Sequence, residues 1–453
     1  MKRVLAVGAT VAVVLALTPT SAQAAATTLY VATNGSDSNA GTQASPFATL
    51  QRAQQAMENS SIKTTYVEAG TYHITSSIHL TGADSGETWS YYAPDGVNSA
   101  VLDGGNTVDI FSVDGSSNLT INGLKMQHVN DFAIFTPSNT RADNVTIENC
   151  DIGFNQHTGA IGGFNPLLVL DNVTHAKILN NYVHDGASQG ISLMAYNAGD
   201  SIDGSVISGN VVVRTVQQMN DGGGIYVAMR NSNVTGGHVT ISDNFVSDYG
   251  GNGIAHAEGI YLDDDASNVT VSGNVIGPGA PGTGAPMATI INGGSNNTFT
   301  DNIVDLGSTG TGLIAGWTEP GGGGALFFNW NGPNVFQGNV IVSNYAGATH
   351  TSLSGFNGTE YVQGNGYPTN MGVIGNNVYY NYGGGSVVTS GNLVSDSHPM
   401  VVNPQLSGPT YALAANSPVF SSIAGFAPIV GGWGPQGFVL PVSSLPAAST
   451  PSA

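Results

Sequence analysis

One motif recurs nine times between Leu119 and Tyr379, and no other property of the chain restricts its fold as much. The copies read LTINGLKM, VTIENCDI, AKILNNYV, SVISGNVV, VTISDNFV, VTVSGNVI, NTFTDNIV, NVFQGNVI and GVIGNNVY. Each is a short apolar strand, a small or polar pair, an asparagine and a second apolar strand. The asparagines are Asn122, Asn149, Asn181, Asn210, Asn244, Asn274, Asn302, Asn339 and Asn377, spaced 27 to 38 residues apart. A fixed local pattern at variable spacing means loops of different length inserted into one recurring unit.

The unit is rich in Val, Ile, Thr, Gly and Asn and carries no 3.6-residue apolar period, so it reads as strands. A coil of about 30 residues holds three short strands joined by bends, each paired to its equivalent one coil away. The pattern predicts an all-β chain, a single-stranded parallel β-helix of about ten coils, right-handed by the usual chirality of parallel crossovers. The asparagines suit such a coil in two ways: they tolerate the left-handed conformation of a tight bend, and their amides can bond along the stack. Cys150, the one cysteine, follows a repeat asparagine inside an apolar run and reads as a small core residue.

A solenoid needs its open ends covered. Ser45 to Met57 predicts a capping helix, with Ser45 as N-cap, Pro46 at the first helical position, and Phe47, Leu50, Ala53 and Met57 on one face. Lys2 and Arg3, the apolar run Val4 to Leu17, and Ala22-Gln23-Ala24 predict a signal peptide over residues 1–24, hence a secreted protein with no membrane anchor after cleavage. The expected domain is 25–435, its strand and cap over 25–60 and its closing segment over 395–435. Residues 436–453, rich in Pro, Ser and Ala, are expected to be a disordered tail.

The chain carries 9 Lys plus Arg against 29 Asp plus Glu, a net charge of −20. That balance argues against nucleic acid and anionic membrane surfaces as partners. A poly- or oligosaccharide of neutral or weak charge, bound by a monomer, is the partner it suits.

The opening YVATNGSDSNAGTQASPFATLQRA resembles the first strand and capping helix of secreted bacterial β-helix proteins that act on polysaccharides. GGGIYV, EGIYLDDDASNVTVSGN and ANSPVFSSIAGFAPI resemble the central coils and closing segment of β-helical glycoside hydrolases, the xylan- and fucoside-acting group within the pectate-lyase-like fold. The similarity runs over most of residues 29–430. It implies a pair of acids on adjacent coils as the catalytic groups, and the matching positions are Asp221 and Asp263.

The residues themselves point to the same region. Aligning Gly190-Ile191-Ser192, Gly224-Ile225-Tyr226 and Gly259-Ile260-Tyr261 puts three coils in one register. With Ile inward, alternation turns Tyr226, Tyr261 and Asp263 outward. Asp221, Glu258, Asp263, Asp264 and Asp265 then share one face of two neighbouring coils, with Glu258 the substitute for either member of the pair. Glycoside hydrolysis needs two carboxyl groups, one protonated and one ionised. Tyr226 and Tyr261 would floor a sugar subsite, Trp317 and Trp330 would wall one, and His184, Gln189 and Arg230 lie near the same edge.

The chemistry requires no cofactor, but Asp264 and Asp265 also fit a calcium site or a solvated turn. Two other readings stay open: a calcium-assisted polysaccharide lyase or epimerase using an arginine near the acids, and a non-catalytic glycan-binding or adhesive β-helix. Scarce basic residues weigh against the first, and the acid cluster weighs against the second.

Overall fold

The computed structural model describes residues 27–450 except 138–139, 156–162, 231–236, 309, 315–322, 327, 331–332, 347–348, 351–371, 389–395, 428 and 430. Three long sheets of twelve, thirteen and twelve strands run the length of these residues, and the pairings within each are parallel. Successive strands of the chain pass from sheet to sheet, so each strand pairs with its counterpart one coil away. The chain is a parallel β-helix. None of its described helices is long and apolar enough to cross a membrane.

The repeat explains the stacking. In the first sheet Trp89, Ile121, Ile147, Ile178, Ile207, Ile241, Val271, Phe299, Phe336 and Ile374 occupy one register row. All point into the interior and are buried. Each such side chain contributes about 1.5–3 kcal/mol by leaving water. The row also fixes register, because a one-residue slip would turn every member outward.

Seven of the nine repeat asparagines form a continuous internal ladder. Asn181, Asn210, Asn244, Asn274, Asn302 and Asn339 each donate from Nδ2 to Oδ1 of the next at 2.9–3.1 Å, and Asn377 donates to Asp396 at 2.8 Å. Each Oδ1 so reached also accepts the backbone N–H of the asparagine before it. Asn122 and Asn149 are not on this ladder. Register gives their coils' slots to Leu124 and Cys150, and the Cys150 N–H bonds to Asn181 Oδ1 at 2.9 Å. The left-handed bend also falls elsewhere than on the ladder asparagine: it is the residue before, as at Asn180, Gly209, Asp243, Gly273, Asp301, Gly338 and Asn376. One residue turns the chain and the next fills the stack.

At the N-terminal end the helix spans Leu50–Glu58, and Leu50, Ala53 and Met57 join the interior cluster. Its N-cap is Thr49, not Ser45. The Asp37 carboxylate binds the N–H groups of Ala48 and Thr49, while Phe47 bridges to Val31 as extended chain, so the helix begins four residues late.

The third sheet is apolar on both faces. Val212, Val246, Ile276 and Ile341 face the interior, whereas Val211, Val213, Phe245, Val275, Ile303 and Val340 form an outer stripe. Leu406, Tyr411, Val419, Ile423, Phe426 and Trp433 cover that stripe. The covering continues beyond 435: Phe438 packs on Tyr182 at 4.5 Å, and the Ser449 N–H reaches the buried Asp305 carboxylate at 2.7 Å. Within residues 436–450, where a disordered tail was expected, Phe438, Leu440, Leu445 and Ala448 lie half-buried against the outer stripe as a strap. Residues 1–24 lie outside the described residues.

Candidate active site

The second sheet lengthens toward the middle of the solenoid, its strands running Ile191–Ala195, Gly223–Met229, His256–Asp263 and Ala285–Gly293. Ile191, Ile225 and Ile260 lie in one row and Ser192, Tyr226 and Tyr261 in the next. The isoleucines are interior. The tyrosines belong to a separate outer cluster with Val169, Met194, Ala228, Met287 and Ile290.

Both tyrosine rings are buried, 5% and 4% exposed, so they are not an open floor. Neighbouring methionines and Phe164 enclose them, and the two rings meet edge to face at 5.3 Å. What they present to the site is their hydroxyls. Gly223 makes the packing feasible, because a Cβ there would come within 2.9 Å of the Tyr261 Cβ.

Tyr226 donates to Asp263 Oδ2 at 2.7 Å. Asp263 Oδ1 accepts Asn292 Nδ2 and the Asp264 N–H, each at 2.8 Å. This is the bonding of an acceptor-only carboxylate. The Tyr261 phenol feels the charges of both Asp263 and Asp221. Burial first, and the Asp263 charge next, push both phenols far above their ordinary range.

Asp221 sits at a left-handed turn, φ 64°, and its N–H bonds to the His256 carbonyl of the next coil. Although the residue is exposed, loss of hydration raises its carboxyl, and Asp263 adds to the shift while His256 opposes it. Glu258 is fully buried behind it, so it cannot touch a substrate and is no substitute for either aspartate. Its Oε1 lies 3.1 Å from His256 Nδ1, and Oε2 has no hydrogen-bond partner. Burial pushes Glu258 up to about 7, against the lowering bond from His256. For His256, burial is outweighed by Glu258 and Asp221, and its imidazole is raised. Among the described residues, Asp221, His256 and Glu258 are the grouping able to hold a metal ion, one atom from each lying within 4.8 Å of the others.

The remaining expected residues divide. Gln189 is buried against Gly222 beside the Asp221 turn. Arg230 pairs with Asp264 at 3.2 Å and lies 4.8 Å over the Tyr196 ring, whose hydroxyl is 3.3 Å from that of Tyr226. Asp264 and Asp265 both occupy left-handed turn positions.

His184 is not at this site. It lies on the third sheet between Asp151 at 2.9 Å and Asp185 at 2.6 Å, with Arg214 on the far side of Asp185. Its imidazole is raised, burial being outweighed by the two carboxylates. Trp317 lies outside the described residues, as does the side chain of Trp330. Tyr196, His256 and Asn292 entered the site without having been singled out in the sequence as site residues. His256 carried a signal, since it stands two residues before Glu258 in an extended strand.

Residues 109–302 match the family model described as a right handed beta helix region. No curated protein matches the sequence. Among solved structures, an alginate lyase in complex with G6 is similar at TM-score 0.50 and 13% identity, covering 86% of this chain and 93% of that one. A rhamnogalacturonan lyase follows at TM-score 0.42 and 14% identity, covering 83% and 85%. The A-module of an Azotobacter vinelandii mannuronan C-5 epimerase gives 0.45 and 14%, covering 78% and 95%. The matched region and the stacked parallel coils identify the fold of this chain as the right-handed parallel β-helix.

Proposed function

We propose that the chain is an exported glycoside hydrolase acting on a neutral or weakly charged polysaccharide. The observation that carries this reading is the pair Asp221 and Asp263 on adjacent coils, close enough for the charge of Asp263 to raise the Asp221 carboxyl. The two carboxyls differ as the reaction requires. Asp221, raised by partial loss of hydration, holds the proton given to the leaving glycosidic oxygen. Asp263, an acceptor for three hydrogen bonds, supplies the negative charge that meets the anomeric carbon, directly or through an activated water. As the C–O bond breaks, the proton goes to the departing sugar and the water's hydroxyl ends on the new reducing end.

The surroundings favour this over β-elimination. Arg230, the guanidinium beside the site, is engaged by Asp264, so it is not held ready to neutralise a uronate carboxylate. The raised tyrosines make poor bases.

A screen of neutral and acidic polysaccharides, recording both reducing ends and unsaturated products, tests the reading. Reducing ends without unsaturation are expected. Asp221→Asn and Asp263→Asn should each lower turnover by about 10²-fold or more with melting temperature little changed. Unsaturated products, or full activity in both variants, would overturn it.

A further inference from the structure

We infer that Asp221, His256 and Glu258 form a binding site for a divalent first-row transition-metal ion, and that an ion seated there takes Asp221 out of catalysis. The first half stands on the geometry alone; the second rests on the hydrolase reading.

Three side chains from two coils converge. His256 and Glu258 come from one strand, and Asp221 is held against that strand by its own N–H on the His256 carbonyl. One ligand atom from each lies within 4.8 Å of the others. His256 Nδ1 and Glu258 Oε1 are 3.1 Å apart, close to the separation of about 3.3 Å between two ligands that each stand about 2.0–2.1 Å from a tetrahedral ion.

An independent observation points the same way. Glu258 is fully buried, yet its Oε2 has no hydrogen-bond partner. A carboxylate oxygen enclosed by protein is ordinarily paired, and one left open beside two other donor groups is a ligand position. With Asp221 and Asp263 nearby, three carboxyl groups surround one imidazole, and a divalent cation balances the excess of acids.

The donor set selects the ion. Calcium takes six to eight hard oxygens, whereas an imidazole with two carboxylates suits zinc or cobalt. Asp221 is exposed, so the remaining coordination positions open to water. An ion there occupies the Asp221 carboxyl group and holds it away from the glycosidic oxygen.

The test uses the intact chain, stripped with a chelator and titrated with Co²⁺ while its visible spectrum and binding heat are followed. We expect one ion per chain, ligand-field bands, and binding that persists in millimolar Ca²⁺. His256→Gln and Glu258→Gln should each weaken binding at least tenfold, and Asp264→Asn should not. In the unaltered chain, Zn²⁺ should shift the ¹⁵N signals of a single imidazole, a readout independent of any variant's folding. No Co²⁺ binding, binding unchanged in both variants, or displacement by Ca²⁺ would overturn the site. On the substrate found in the screen, stoichiometric Zn²⁺ should stop hydrolysis and chelator should restore it. Hydrolysis that tolerates or requires the bound ion overturns the inhibition alone. Ion binding without hydrolysis of any glycan leaves the site intact and removes the hydrolase reading.

Discussion

Tyr226 reaches across one coil to donate its hydroxyl to the Asp263 carboxylate at 2.7 Å. The bond gives a buried ring a polar purpose, and it orients one of the two acids. A hydrogen bond to a charged group contributes about 1.5–3 kcal/mol. Tyr226→Phe should therefore lower kcat by about 10- to 100-fold with a smaller effect on KM. Steady-state kinetics on the substrate identified by the polysaccharide screen would check this, and a variant with unchanged kcat would show that Asp263 is held by Asn292 and the backbone alone.

The asparagine ladder makes a sharper prediction about stability. Asn244→Ala leaves the N–H and Nδ2 of Asn210 without their acceptor and removes the Asn244 Nδ2 bonds to the Ile207 carbonyl and Asn274. Unmade buried bonds of this kind cost about 1–3 kcal/mol each, so a loss of about 3 kcal/mol or more is expected in denaturant unfolding. Asn149 lies off the ladder at a left-handed bend. Asn149→Gly keeps that conformation and should stay within about 1 kcal/mol of the parent.

Ending the chain at residue 430 should expose the outer stripe of the third sheet. Trp433 and Phe438 leave their places on Phe245 and Tyr182, and Asp305 loses the Ser449 N–H. Burial of two aromatic rings alone is on the order of 3–5 kcal/mol. Dye binding to exposed apolar surface, a lower Tm and concentration-dependent association should appear together. A truncated chain as stable and monodisperse as the parent would show that the strap is dispensable.

Glu87 supplies a pH dependence far from the acid cluster. Its side chain is fully enclosed, accepts the Trp89 indole N–H at 3.2 Å and stands 3.9 Å from Lys63. Burial, then the Asp84 charge, raise its carboxyl from 4.5 to about 8. A carboxyl raised by folding keeps its proton in the native state while the unfolded chain releases it. Stability should thus fall as pH rises from about 4.5 to about 8 and level off above. In Glu87→Gln that decline should be visibly shallower in Tm recorded across the interval. A parallel decline in parent and variant would assign it to other groups.

The sequence disclosed what depends on period and repetition. The isoleucine of each GIY tripeptide pointed inward as alternation requires, and the stack of Asp263 beside Tyr226 and Tyr261 followed from register. It disclosed less where two slots accept the same residue. Asparagine suits both the left-handed bend and the internal amide stack, so the motif could not show that Asn149 turns the chain while Asn181 fills the ladder. His184 was misplaced for a related reason: strand spacing shows that a residue follows a strand but not which sheet that strand joins. The C-terminal strap escaped because composition registers proline and serine, whereas the apolar anchors Trp433 and Phe438 are few and widely set. Glu258 read as a surface acid, although alternation from the inward Ile260 already argued against it, and the structure buries it beside Met287 of the next coil.

The ladder has a direction. Every asparagine passes its Nδ2–H toward the next coil, from Asn181 to Asn377, and the last recipient is Asp396, whose Oδ2 takes the Asn377 N–H and Nδ2 together with the Tyr379 hydroxyl. Its carboxyl group has no amide hydrogen to pass on. Asp396 thus ends the relay of amides, while the strand pairing runs one step further, to Met400–Val401, whose register sets Pro399, a residue with neither an N–H nor an amide side chain, opposite Asn377.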